Sequence, residues 1–162
     1  MTPIFHMMAR YNAWMNENIY RGCAQISDEQ RKLDMGAFFK SIHGTLNHLY
    51  VADAMWMARF KRTPLPNYTL NGIAFENFDE LWAARKTLDA DISAFVETLK
   101  DDELAAPFTF KSVAYNREFT NTFYIFVTHM FNHQTHHRGQ VTTLMKQCGV
   151  DPGATDLPAM PA

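Results

Sequence analysis

Four of the chain's seven histidines fall in one short stretch, Thr128-His129-Met130-Phe131-Asn132-His133-Gln134-Thr135-His136-His137-Arg138-Gly139-Gln140. Imidazole binds metals and exchanges protons near neutral pH, so what these residues can do depends on where each ring points. Successive residues turn by about 100° around a helix. On that wheel Phe123, Phe126, Met130, Val141 and Leu144 define an apolar face that contains His133 and His137. His129 sits at its edge, and His136 lies toward the polar side with Gly139 and Thr143. Two imidazoles four residues apart on one face stand one above the other and can reach a single ion.

A pair needs a third ligand. His48 lies beside the stripe Ile42, Thr45, Leu49, Ala52 and Trp56 of an earlier helical segment, together with Met55 and Arg59. His43 projects to the other side with Tyr50 and Met57, and His6 falls off the stripe of its own helix. Facing therefore selects His48, His133 and His137. A buried histidine can equally be a neutral core residue satisfied by backbone or amide groups. Three converging ones would each carry a desolvation cost that a shared metal removes. Three neutral imidazoles suit Zn, Ni, Fe or Cu and leave coordination positions open for water or substrate. Gln140, about 20° from His133 on the wheel, could orient an imidazole or a water from behind the ligands. Asp53, about 140° from His48, reads as a surface or rim charge rather than a fourth ligand. Arg138 stays open between a surface and a site role, and no catalytic base is identified.

These side chains must be held by helices. Ile4, Met8, Tyr11, Met15, Ile19, Cys23 and Ile26 alternate steps of three and four, which predicts a helix from Pro3 to about Ile26. Ser27 and Gln30 offer a capping box for a short turn that Gly36 limits. A second long helix runs from Phe38 or Ser41 to Arg59, before Pro64 and Pro66. Asn77 and Glu80 cap a third, with the stripe Phe78, Leu81, Leu88, Ile92, Phe95, Val96 and Leu99. Residues 107–119 read as a small hairpin or an irregular crossing loop. A fourth long helix starts at Thr120 or Asn121 and ends at Gln147, with Gly149 as a left-handed stop. The expectation is an all-α four-helix bundle over residues 1–150 and an extended, poorly ordered Pro-rich tail over 151–162. Connections on the order of 15–20 residues, against the usual ~2–8 of a simple bundle, require at least one long crossover.

Composition narrows the function classes. A chain of 162 residues, 47% apolar, fits one globular domain. A net charge of -2 without like-charge blocks argues against binding nucleic acid or an anionic membrane surface. Cys23 and Cys148 form no CxxC, no apolar run approaches a membrane span, and the first residues lack the form of a secretory signal. Reduced thiols and a cytoplasmic location are the expectation.

The chain resembles the DinB/YfiT-like superfamily of metalloenzymes along nearly its whole length. The resemblance rests on Tyr11-Asn12-Ala13-Trp14-Met15-Asn16, on Ser41-Ile42-His43-Gly44-Thr45-Leu46-Asn47-His48 with Asp53 and Trp56, and on Asn132-His133-Gln134-Thr135-His136-His137-Arg138-Gly139-Gln140. It implies the ligands His48, His133 and His137, an up-down-down-up bundle, a divalent metal, a homodimer and, from the family's name, damage-inducible expression. Relatives of this kind include thiol-dependent S-transferases and a mycothiol-dependent isomerase. The leading expectation is thus an enzyme whose metal activates a low-molecular-weight thiol for S-transfer or isomerisation of a small-molecule substrate. Two rivals stay open: a hydrolase using metal-activated water, and a non-enzymatic bundle with a structural metal.

Overall fold

The structure, a computed structural model, describes residues 1–112 and 115–162. Four long helices dominate: α1 (Thr2–Cys23), α3 (Ile42–Phe60), α4 (Phe78–Thr98) and α6 (Phe123–Gln147). Two short helices, α2 (Asp28–Lys32) and α5 (Asp101–Ala105), and a two-stranded antiparallel sheet of β1 (Pro107–Ser112) and β2 (Arg117–Thr122) complete the main elements.

Local chemistry sets most boundaries. Ser27 Oγ accepts from Gln30 N–H at 3.2 Å to start α2, and Ser41 Oγ accepts from Gly44 N–H at 3.0 Å to start α3. Asn77 Oδ1 accepts from Asp79 and Glu80 N–H to start α4. Each satisfies backbone donors that a first helical turn leaves free. Gly149, at φ +79°, turns the chain out of α6 as expected. The first helix stops at Cys23, short of Ile26, and the fourth begins at Phe123, later than Thr120, because residues 117–122 pair with β1. The open choice over 107–119 thus resolves as a hairpin for the described residues, with Phe110 opposite Phe119.

Around the bundle, α1 and α3 each pack against both α4 and α6. The core divides into two apolar clusters, one around Met15, Ile19, Leu46, Leu81 and Met145, the other around Phe5, Phe60, Ile92, Val127 and Phe131. Between them runs a buried polar layer. Arg85 Nη1 donates to Asp53 Oδ2 at 2.7 Å, and its Nη2 lies 2.8 Å from Asp89 Oδ1. Asn12 and Asn16 donate to the same Asp89 oxygen at 2.7 and 3.0 Å. Gln134 donates to Asp53 at 3.0 Å, and Arg138 donates to Asn12 Oδ1.

This layer corrects one expectation and closes another. Asp53 is fully buried, not a surface or rim charge. Being turned away from His48 does not expose it, since α3 is flanked on both sides and Ile42 to Leu49 are buried without a break. Arg138 is buried too, with its guanidinium 5.4 Å from the Tyr11 ring centroid. Two Asp and two Arg balance their charges inside the bundle.

After Gly149 the tail runs along α1 rather than free of it. Tyr11 Oη donates to the Thr155 carbonyl at 2.5 Å, and Arg10 Nη2 donates to the Pro161 carbonyl at 3.1 Å. Leu157 and Met160 pack against the first apolar cluster.

Candidate metal centre

His133 and His137 sit one turn apart on α6, and His48 faces them from α3. His133 Nε2 lies 3.2 Å from His48 Nε2 and 3.0 Å from His137 Nε2. Facing on the two helices was therefore enough to select the residues that the fold gathers. His129 stays at the rim, with its ring edge-on to Trp56 at 5.2 Å, and His136 is exposed. His43, directed away from this cluster as expected, is buried, and its Nε2 donates to the Phe75 carbonyl at 2.8 Å.

Two of the three rings are oriented from behind. His48 Nδ1 donates to the Leu70 carbonyl at 2.8 Å, and His137 Nδ1 donates to Gln140 Oε1 at 2.7 Å. Both partners only accept, so in the neutral rings the proton sits on Nδ1 and Nε2 presents a lone pair. Gln140 thus serves His137, not His133: a residue three positions on lies one turn above its partner, and angular proximity to His133 on the wheel is not reach. His133 Nδ1 is buried without a partner among the described residues.

The proton count makes the cluster a donor set for a cation. Of three facing Nε2 atoms, two carry lone pairs, and the third can offer at most one proton to them. Burial, joined by repulsion from the neighbouring histidines, pushes His133 down to about 3. Burial also lowers His48 and His137. Protonation is therefore a poor remedy for the crowded lone pairs, whereas an ion satisfies all of them at once. Two nitrogens bound about 2.05 Å from one tetrahedral ion would stand roughly 3.3 Å apart, close to the spacing here. The three histidines can bind a metal ion, and no carboxylate or thiol joins their group among the described residues.

Several supports carry little sequence signal. The Leu70 carbonyl belongs to the α3–α4 connection, which Asn47 pins by accepting from Ala74 and Phe75 N–H at 2.9 Å each. Phe39 stacks on His48 with ring centroids 3.8 Å apart and meets His137 edge-on at 5.5 Å. Gly44 permits this, because a Cβ there would collide with the Phe39 carbonyl. The Asn47/His43 spacing of four residues was the one visible hint of a polar face given over to holding a loop.

On its other side the cluster opens into a cavity of about 420 Å³ between α3, α6 and the hairpin. His48 and His133 form part of its wall, with Trp56, Arg59, Phe110 and Phe126 beyond them. A three-ligand group beside such a space has the form of a site that admits a substrate, since a structural site is closed by a fourth ligand.

The comparisons agree with this architecture. The chain is 22% identical over 172 residues to Protein DinB of Bacillus subtilis (strain 168), an alignment spanning 96% of this chain and 92% of that one. It superimposes on the crystal structure of a DinB-like protein from Bacillus cereus ATCC 10987 with a TM-score of 0.64 and 18% identity, covering 86% of this chain and 89% of the other. The profile of the DinB family matches residues 1–162. The chain belongs to the DinB family.

Proposed function

We propose that this protein is a metal-dependent enzyme in which His48, His133 and His137 hold one divalent ion, Zn, Ni or Fe, that activates a small thiol for S-transfer or isomerisation. The observation that carries this reading is the convergence of three Nε2 atoms, those of His48, His133 and His137, with the first two histidines in the wall of a largely apolar cavity. When bound, a divalent ion lowers the pKa of a thiol or water that reaches it. The chain's own residues do the rest. Leu70 and Gln140 hold the imidazole tautomers, Phe39 covers one face of His48, and the aromatic wall gives the reacting end an apolar surround.

The cavity lining among the described residues holds no Asp or Glu to take a proton, and a thiol gives up its proton far more readily than water does, which ranks thiol chemistry above hydrolysis. His129 at the rim is the one group that favours the hydrolytic alternative. Cobalt-substituted protein tests the ranking. Adding 2-mercaptoethanol should produce a sulfur-to-metal absorption band. No band, together with ester turnover abolished by His133→Ala, reverses it; neither response favours a structural metal.

The reading extends to the up-down-down-up order. Phe5 stacks near Phe131, and Asn12 meets Arg138 further along, so α1 and α6 rise together. Trp56 meets Phe126 while His48 meets His133, so α3 runs against α6. Asp53–Arg85 and Phe60–Phe95 advance together along α3 and α4. A homodimer and a cytoplasmic location belong to the same proposal. No helix among the described residues is long and apolar enough to cross a membrane, and Ile4 and Phe38 are exposed large apolar side chains that a partner copy would cover. Sedimentation at micromolar concentration should give twice the chain mass; the mass of one chain removes the dimer and leaves the metal reading intact.

A further inference from the structure

Within the cavity beside the histidines, Arg59 is a cation without a counter-ion. Its guanidinium carbon lies 4.9 Å from the ring centroids of both Trp56 and Phe110, which hold it against the wall. Its Nε is buried with no hydrogen-bond partner, and no ion pair reaches it among the described residues. The contrast with Arg85 is direct. Both are pulled from water, but Arg85 has Asp53 and Asp89 beside it and is driven upward, whereas burial alone acts on Arg59 and lowers it. A half-buried cation over aromatic faces, with no acid in the surrounding lining, is arranged to receive an anion from outside.

The rest of the wall defines the body of that anion. Leu70, Trp56, Phe110, Phe119 and Phe126 surround the space between Arg59 and His48. Between the Arg59 guanidinium and His133 stand the rings of Trp56 and His129, at successive separations of 4.9, 5.2 and 5.9 Å. An anion held at Arg59 therefore lies two aromatic rings away from the histidines, a row that an elongated apolar body spans. Charge selects the head group. At the Arg59 end of the cavity one cation balances one negative charge, and the planar guanidinium fork fits a carboxylate, whereas a phosphate monoester would bring up to two charges.

We propose that Arg59 is the recognition residue for the carboxylate of an elongated aromatic or apolar monocarboxylic acid, which lies along the Trp56–Phe126 wall with its other end at the histidines. The inference deepens the function proposed above and rests on it only for the placing of the reacting end.

Calorimetric titration of chelator-treated protein with 4-phenylbutanoate and with its uncharged analogue 4-phenylbutanamide tests it. The acid should bind at least about tenfold more tightly than the amide, the range expected for a charge-assisted pair. Arg59→Gln should abolish that preference, and Arg59→Lys should keep part of it. The preference is read in metal-free protein, so failure of the metal reading does not carry this one down. Equal binding of acid and amide by the unaltered protein overturns the proposal even if an Arg59 variant fails to fold. So does an acid preference that survives in folded Arg59→Gln protein, or one that appears only when metal is present.

Discussion

Replacing His137 with alanine is expected to take the metal content of the purified protein from about one ion per chain to near zero, while His136→Ala leaves it unchanged. The two residues are adjacent in sequence and both are histidines, so no argument from composition separates them. Geometry does: His137 Nε2 faces His133 Nε2 at 3.0 Å, whereas His136 is exposed and only brushes Gln140 at 3.4 Å. Gln140→Ala should have an intermediate effect, weakening metal affinity about 10–100-fold by releasing His137 Nδ1. Elemental analysis of the three variants decides the matter. Equal loss from His136→Ala and His137→Ala, or no metal in any of them, removes the centre.

Acid should empty the centre as well. Imidazoles ligate only when neutral, so protons compete with the metal as pH falls. In the metal-free protein His133 is held at about 3, against an ordinary value of 6.5. Between those values the unfolded chain binds the extra proton, so this histidine's contribution to stability is complete above about 6.5 and declines as pH falls toward 3. Asp53 works the other way. Burial, the largest cause, raises it from 3.8 to about 6 despite Arg85, so its contribution is present below about 3.8 and is lost as pH rises to about 6. The two windows overlap with opposite signs. Metal content, rather than melting temperature, is therefore the readout that isolates the histidines, and content constant from pH 7 to 5 would point to ligands other than imidazole.

The second large effect is on stability. Arg85→Met should destabilise the fold by about 3–5 kcal/mol, as expected when one member of a buried ion network is removed and its partners are left unpaired. Arg85 is 2% exposed and holds Asp53 and Asp89 from a position between the two apolar clusters. Methionine would fill much of the space but leave both carboxylates to face one another through Asn12, Asn16 and Gln134. A chemical denaturation midpoint, with its slope checked for two-state behaviour, measures the loss. A change below about 1 kcal/mol, the scale of an exposed ion pair, would show that the layer is wetter than its burial implies.

That polar layer marks where periodicity stops being informative. Asp53 lies off the stripe that carries His48, and a wheel drawn for a helix packed on one side assigns such a residue to solvent. α3 is packed on both sides, so the same angle puts Asp53 against Arg85. On α6, His133/His137 and Gln134/Arg138 are two pairs at the same spacing on neighbouring stripes: the first meets α3 at the cavity, and the second enters the polar layer. Spacing alone cannot tell a ligand stripe from a structural one.

The sequence by itself determined the four long helices, the caps at Ser27 and Asn77, the glycine stop at Gly149, and the three histidines that converge. All of these depend on interactions within a few residues, or on the side of a helix that a residue occupies, and both are written in local order. Only the tertiary structure decided which group holds each imidazole, that residues 107–112 and 117–122 pair, and that Arg59 stands in an aromatic cavity without an acid beside it. The Leu70 carbonyl is a backbone atom that any residue would supply, and Arg59 meets Phe110 of β1, and Asp53 meets Arg85 of α4, only because elements dozens of residues apart pack together. Such contacts exist only once the chain has closed on itself.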